Sequence, residues 1–512
     1  MGGTPAFILS SCVNMICRTN ARTGLPSVWI LIVACTFDET VSGQAPVLNH
    51  ILGTGQSLAI GTMGSPPLTT SQPYGNLSLS LNSHSQQAGT GFVPLIEGLN
   101  ADGASVETIS SALANTLTAL SPQTNFTTIV TRDGQGGTPY SGLEKGTAPY
   151  ALGLLELSNA LAAAQSLDQA YQVTAVTCVH GEQDDVLGNG PYYAGYLRQW
   201  QQDIDADAKA ITGQTNEVPM FLCQMSSWTA NNRAATSLIP AAQLYAAETY
   251  PSHFLVCPKY FLTYYSDGIH LTAQSYRRLG EYYGKVMKKV LIDGQRWRPL
   301  TPDSISISNK NITIILHVPV SPIVNDISIG SKAYYGFEYA DDSSSAAISS
   351  AFISSSNAVT IVLNKVPSGA HPRLRYAYTG TPGALAGANQ TGSARGTIRD
   401  SDATASLSGD SLVNWLVHFD YSIPYNAAYP VQVTESSVRS GQSVKIAWQT
   451  VSGSSNYVDY ATSLTPPVTW SNVYLINGND PSLVYTNKSI YTTAAYTNYV
   501  TQPHAFFWVR IQ

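Results

Sequence analysis

An α/β domain built on a parallel sheet, followed by two all-β sandwich-like domains, is the architecture this sequence predicts. Three observations carry it. From about Gln44 to Arg298, apolar β-like runs alternate with helical stretches, the pattern of strands wrapped by helices. Beyond Pro299 and Pro302 the grammar changes to short runs of period two, separated by Gly, Asn, Ser and Pro, which is sandwich grammar. At 512 residues the chain also exceeds what one hydrophobic core organises, so several domains are expected.

Residues 1–43 read as an export leader. Arg18 and Arg22 precede the short apolar core "VWILIVA", Val28 to Ala34, and Thr40 to Gly43 offer small residues for cleavage, the order a signal peptide requires. "IVAC", Ile32 to Cys35, also has the look of a lipoprotein cleavage box, which implies a lipid anchor on Cys35. The expected location is therefore secreted or at the cell surface, with periplasmic or lipid-anchored variants. No other segment reaches the roughly 18 apolar residues of a membrane span.

The α/β domain is expected over 44–298. "PVLNHILG", "TNFTTIVTR", "QVTAVTCVHG" and "VPMFLCQMS" read as strands. Ser105–Leu120, Tyr150–Leu167, "YYAGYLRQWQQDIDADAKAI" and Leu271–Ile292 read as helices by their spacing. A first sandwich is expected over 304–424, from runs such as "SISISNKNITIILHVP", "VTIVLN" and "LRYAYTG". A second, fibronectin-like, is expected over 425–512, from "SVKIAWQTV", "NYVDYATSL" and "AFFWVRIQ".

Composition narrows the function. Charged residues are 11% of the chain and the net charge is −6, so no basic field exists to hold nucleic acid. Of six cysteines, Cys12, Cys17 and Cys35 fall in the leader. Cys178, Cys223 and Cys257 lie in or beside apolar runs and are expected to be buried free thiols. Their spacing fits no metal site.

Four segments carry chemistry. "GTGQSLAIG" places Ser57 on a tight turn after a strand, where a hydroxyl is exposed at the carboxyl edge of a parallel sheet. "YYSDGIHLT" sets Asp267 and His270 three residues apart before the last helix, close enough for a carboxylate to orient an imidazole. "HGEQDD", His180 to Asp185, follows a buried strand and offers Gln183 as an amide donor. A metal reading would need His180, Glu182, Asp184 and Asp185 to converge, although neighbouring strand residues point to opposite faces. "RDGQGGTPYSGLEKG" follows another strand, and its glycine pair, Gly136 and Gly137, exposes backbone N–H groups suited to an anion. It lacks the Gly-Lys-Ser/Thr of a nucleotide phosphate loop.

In order and placement these segments resemble the SGNH/GDSL hydrolase family, and within it the carbohydrate acetylesterase and sialate O-acetylesterase-like branch, over roughly residues 46–295. "GQS" is similar to the first block, with Gln56 where many members carry Asp. "GEQD" is similar to the Gly-x-Asn-Asp block, with Gln183 in place of Asn, and "DGIH" to the Asp-x-x-His block. The resemblance implies a flavodoxin-like three-layer catalytic domain and a serine esterase needing no metal or cofactor. It implies a triad of Ser57, Asp267 and His270. It also implies an oxyanion hole from the N–H groups of Ser57 and Gly137 and the amide of Gln183. An acetylated carbohydrate is the implied substrate, with a lipase or arylesterase as the alternative within the family and a non-catalytic surface carbohydrate-binding protein outside it. Gln56, Glu182 and Trp228, the last in the loop "MSSWTANN", are the expected substrate contacts. Tyr140, Tyr192, Tyr193, Tyr264 and Tyr265 are further aromatic candidates, although core packing accounts for most of them. The segment Gly396–Pro424 resembles one found in exported esterases, and rigid spacing is the plain role for both β domains.

Overall fold

A computed structural model describes residues 47–80, 89–99, 104–124 and 126–427, together with strand segments between 433 and 511. The chain divides into units Met1–Gln44 and Ala45–Gln512. The expected leader, with Cys35, lies outside the described residues.

The α/β domain begins with β1 (Val47–Gly55), β2 (Leu77–Leu79) and β3 (Phe92–Pro94). A two-residue ladder follows, β4 (Gly98–Leu99) with β5 (Ser105–Val106), and then helix α1 (Ser110–Ala119). Next come β6 (Phe126–Arg132), α2 (Ala148–Ser166), β7 (Tyr171–Val179), and the short α3 (Glu182–Val186) ahead of α4 (Tyr193–Thr212). The domain closes with β8 (Met220–Gln224), α5 (Trp228–Asn231), α6 (Ile239–Thr249), β9 (His253–Pro258) and α7 (Ala273–Met287). The strands lie in the order β3-β2-β6-β1-β7-β8-β9, parallel except for the edge strand β3. Counting β1, β6, β7, β8 and β9 as one to five, the core order is 2-1-3-4-5, the flavodoxin-like arrangement. Helix α1 packs on α7, while α4 packs on both α2 and α6, giving helical layers over the sheet.

β1 is buried along nearly its whole length, as a central parallel strand must be. Its one histidine, His50, is satisfied inside the sheet by the Tyr171 hydroxyl and Thr131 Oγ1, each at 2.7 Å. Burial pulls its pKa down to about 3, so it is neutral. On α7, Gly280 and Gly284 are one turn apart. A methyl group at Gly284 would come within 2.5 Å of the Leu113 carbonyl on α1, so the two helices touch backbone to backbone.

The next region begins with β10 (Thr301–Ser308), which takes in Pro302, and β11 (Asn311–His317). It continues with β12 (Val324–Asn325), β13 (Phe337–Ala340), β14 (Ile348–Ser355), β15 (Ala358–Leu363) and β16 (Arg373–Tyr376). It ends with β17 (Ile398–Arg399), β18 (Phe419–Ser422) and β19 (Tyr425–Asn426). Its larger sheets are antiparallel, β14-β15-β11-β10-β19 and β13-β16-β18. Alternating burial along β11 is the period-two pattern of its sequence. Beyond it, seven strands between Val433 and Ile511 form one four-stranded and one three-stranded antiparallel sheet.

Differences from the expected elements are local. The helix expected from Ser105 starts at Ser110, because Ser105–Val106 pair with Gly98–Leu99. The helix expected to reach Ile292 is α-helical to Met287 and ends in a wider π turn, Lys288–Ile292. Helix α6 and the β2–β3 hairpin were not anticipated. Cys178, Cys223 and Cys257 are buried free thiols, as expected. Among the described residues, no helix is long and apolar enough to cross a membrane.

The segment Gly396–Pro424 is bolted to the α/β domain through buried polar groups. Lys285 Nζ, on α7, donates to Asn414 Oδ1 at 2.6 Å, Asp402 Oδ2 at 3.1 Å and the Leu412 carbonyl at 2.5 Å. Gln224 exchanges hydrogen bonds with the His418 backbone, and the Tyr260 hydroxyl donates to the Leu416 carbonyl at 2.6 Å. Breaking a buried ion pair from one side typically costs about 3–5 kcal/mol. Lys285→Ala is therefore expected to lower unfolding free energy by that amount in urea titrations, and a loss under about 1 kcal/mol would show that this contact is not needed.

Candidate active site

β1 ends at Gly55, with φ +135°. A side chain there would collide with the Val179 carbonyl of β7, so the position requires glycine. The Gln56 N–H donates to that same carbonyl at 3.3 Å, and the chain then coils, Ala59 N–H donating to the Gln56 carbonyl and Thr62 N–H to the Ser57 carbonyl. Ser57 thus stands at the carboxyl end of β1, 8% exposed, in the crevice where the strand order reverses.

Asp267 and His270 arrive on a tight loop between β9 and α7. Tyr264 bridges Leu271, and Tyr265 N–H donates to the His270 carbonyl at 2.7 Å. Asp267 Oδ1 accepts the N–H groups of Ile269 and His270, which leaves Oδ2 for His270 Nδ1 at 2.7 Å. His270 Nε2 lies 2.9 Å from Ser57 Oγ. Burial pushes the Asp267 carboxyl up, but the hydrogen bonds from His270 and the two backbone N–H groups outweigh it and hold the pKa below the ordinary value. An ionised carboxylate on Nδ1 keeps the proton there, so the Nε2 lone pair faces the hydroxyl. Such a chain can take a proton from an alcohol as its oxygen attacks a carbonyl.

The glycine loop runs past the same serine. Gln135 N–H donates to the Gly55 carbonyl at 3.0 Å, and a methyl on Gly136 would stand 3.9 Å from Ser57 Cβ. Gly137 is exposed in the left-handed region, φ +64°. Among the described residues, neither the Ser57 N–H nor the Gly137 N–H is spent on a backbone acceptor.

The acidic segment after β7 serves this loop. His180 Nε2 meets the Thr138 carbonyl at 3.0 Å and its Nδ1 meets the Tyr193 hydroxyl at 2.7 Å. Burial lowers the pKa of His180, so it is a neutral brace. Asp184 accepts the Tyr140 N–H at 2.9 Å and the Asn189 amide at 2.7 Å. Gln183, half-buried in the first turn of α3, gives its backbone N–H to Gln56 Oε1 at 3.2 Å. The first and third blocks are thereby tied together beside Ser57.

The three expected substrate contacts each have partners within the protein. Gln56 is 3% exposed and its carbonyl oxygen is turned to Gln183. Glu182 is buried against Lys259, with Nζ at 2.6 Å from Oε1, and takes a hydrogen bond from Ser227. Trp228 is 1% exposed at the start of α5, its ring edge-on to His418 and its N–H on the Ala235 carbonyl. Each sits in the interior because a distant partner claims it. Tyr140, Tyr193 and Tyr264 are likewise interior, whereas Tyr192 and Tyr265 are exposed. Lys259 was missed, although a lone lysine directly after an apolar strand was its signal.

No protein-family model matches the chain, and no curated protein matches it. Three similar solved structures are far apart from it in sequence. A protein from Arabidopsis thaliana is 15% identical, covering 48% of this chain and 99% of its own, with a TM-score of 0.38. A carbohydrate acetylesterase from Xanthomonas citri is 12% identical, covering 73% and 80%, with a TM-score of 0.47. An acetylxylan esterase from Geobacillus stearothermophilus is 14% identical, covering 49% and 97%, with a TM-score of 0.25.

Beneath the site, Asp133 is buried at the end of β6, its N–H on the Gly53 carbonyl. Burial pushes its carboxyl up to about 7 from an ordinary 3.8. The folded state thus keeps a proton that the unfolded state releases. Its contribution to stability is full below about pH 4 and falls as the pH rises towards 7. Asp133→Asn is expected to flatten the decline in melting temperature between pH 5 and pH 8. An unchanged decline would mean that Asp133 ionises at its ordinary pKa in the fold.

Proposed function

We propose that this protein is a serine esterase that removes acetyl groups from an extracellular polysaccharide or oligosaccharide. The observation that carries the reading is the unbroken hydrogen-bonded chain from Asp267 through His270 to Ser57, at the carboxyl edge of a parallel sheet. His270 takes the Ser57 proton as Oγ attacks the ester carbonyl. The tetrahedral oxyanion is held by the N–H groups of Ser57 and Gly137 and by the Gln183 amide. His270 then returns the proton to the leaving sugar hydroxyl. Water, deprotonated by His270, releases acetate from the acyl-enzyme, while Asp267 stabilises the imidazolium throughout. The carbohydrate assignment rests on the similarity of "GQS", "GEQD" and "DGIH" to the acetylesterase branch.

A broader esterase is the second reading. Val186, Leu187, Tyr192 and Leu238 are each at least 44% exposed beyond Gln183, and apolar surface suits longer acyl or aryl groups. p-Nitrophenyl esters of increasing chain length separate the two. A preference for acetate supports the deacetylase, whereas a rise towards octanoate supports the broader enzyme.

Acetate release from acetylated xylan is expected from the wild-type protein and expected to fall at least about a thousandfold in Ser57→Ala. Equal release from both proteins would overturn the serine mechanism. Gln183→Ala is expected to lower kcat about 10²–10³-fold, the usual effect of losing one oxyanion donor, because the backbone N–H bound to Gln56 survives the change. Unchanged kcat would leave the oxyanion to the two backbone donors.

A further inference from the structure

We infer that the loop 380–389 of the first β domain is part of the catalytic apparatus, with Leu385 as a positioning residue for the turn that carries Asp267 and His270. The inference rests on the reading of those residues as the orienting acid and base.

The turn is hydrogen-bonded within itself, but its packing is supplied from outside. Tyr265 and Ser266 are exposed, yet Gly268, between Asp267 and His270, is buried. What buries it comes from two sides. A methyl group on Gly268 would stand 2.9 Å from both Cα and Cδ2 of Leu385, and 3.0 Å from Ala230 Cβ on α5. The backbone beside the catalytic pair is thus clasped between α5 and a leucine more than a hundred residues further along the chain. Leu385 remains 38% exposed, so its position is fixed by its loop and not by a surrounding core.

That loop is itself fastened to the α/β domain at several points. Gly380 N–H donates to the Ala235 carbonyl at 2.8 Å, and Gly383 N–H to the Thr229 carbonyl at 2.7 Å. Ala388 N–H donates to the Leu262 carbonyl at 2.9 Å, on the segment between β9 and the catalytic turn. Gly387, at φ +102°, passes so close that a methyl group would meet the Leu262 carbonyl and the Tyr264 ring, each at 2.5 Å. These contacts lie along the chain on either side of Leu385, which is pressed on Gly268 as a consequence. A spacer domain has no need of such fit. A catalytic imidazole does, since a displacement of about 1 Å costs on the order of a hundredfold in rate.

The test uses the full chain and p-nitrophenyl acetate. Leu385→Ala is expected to lower kcat about tenfold with KM within twofold and the melting temperature nearly unchanged, and Leu385→Met to restore most of the rate. Gly387→Ala, which lifts the loop, is expected to lower kcat further. A readout independent of turnover is the downfield Nδ1 proton of His270 by NMR. It is expected in the wild type and expected to broaden away in Leu385→Ala while other signals persist. An unchanged Nδ1 proton, or wild-type kcat in both variants, would overturn the positioning role. A wild-type protein that shows the Nδ1 proton but hydrolyses no ester would instead count against the esterase reading, with the NMR comparison still deciding the role of Leu385.

Discussion

The chain leaves β1 at Gly55 so close to the last carbonyl of β7 that a side chain cannot fit between them. This approach sets the geometry of everything above it. It turns Gln56 inward to α3 and Ser57 outward into the crevice. It also leaves the Gly55 carbonyl free to hold Gln135 and so to draw the glycine loop alongside. Three segments from three strands, β1, β6 and β7, meet at one backbone contact. His270, the proposed base, then needs only to be delivered from the far edge of the sheet.

The polar residues around Ser57 divide into those that face it and those that hold the others in place. His180, Asp184, Gln56 and Glu182 belong to the second group. Each is buried and each has a named partner. The Glu182–Lys259 pair is an expensive device, because two charges are taken out of water to fix one junction. It ties the start of α3 to the end of β9, the two ends between which the site opens. Its value is geometric: α3 cannot drift from the strand that leads to His270.

Much of this was legible in the sequence where the signal is local. The alternation of strands and helices from Gln44 to Arg298, the break at Pro299 and the period-two runs that follow all correspond to elements of the fold. Asp267 and His270 are near neighbours in one turn, and Ser57 announces itself by its glycines. The rest was hidden because it depends on contacts across long sequence distances. Trp228 sits in a polar stretch and reads as a surface ring, yet His418, 190 residues on, covers it. Glu182 was expected at the substrate, and its partner Lys259 lies 77 residues further on. Helix α6 buries Gln243 and leaves Tyr245 exposed, so its sequence shows no clean apolar stripe. The fit of Leu385 on Gly268 has no sequence signal beyond a loop rich in glycine.

The central claim is that the Asp267–His270 pair makes Ser57 nucleophilic. Labelling with a serine-directed fluorophosphonate, read by peptide mass spectrometry, tests it most directly. The expected result is a single adduct on the Ser57 peptide of the wild-type protein, lost in His270→Ala with the fold intact. An unlabelled Ser57 in the folded wild type, or labelling that does not depend on His270, would contradict the account.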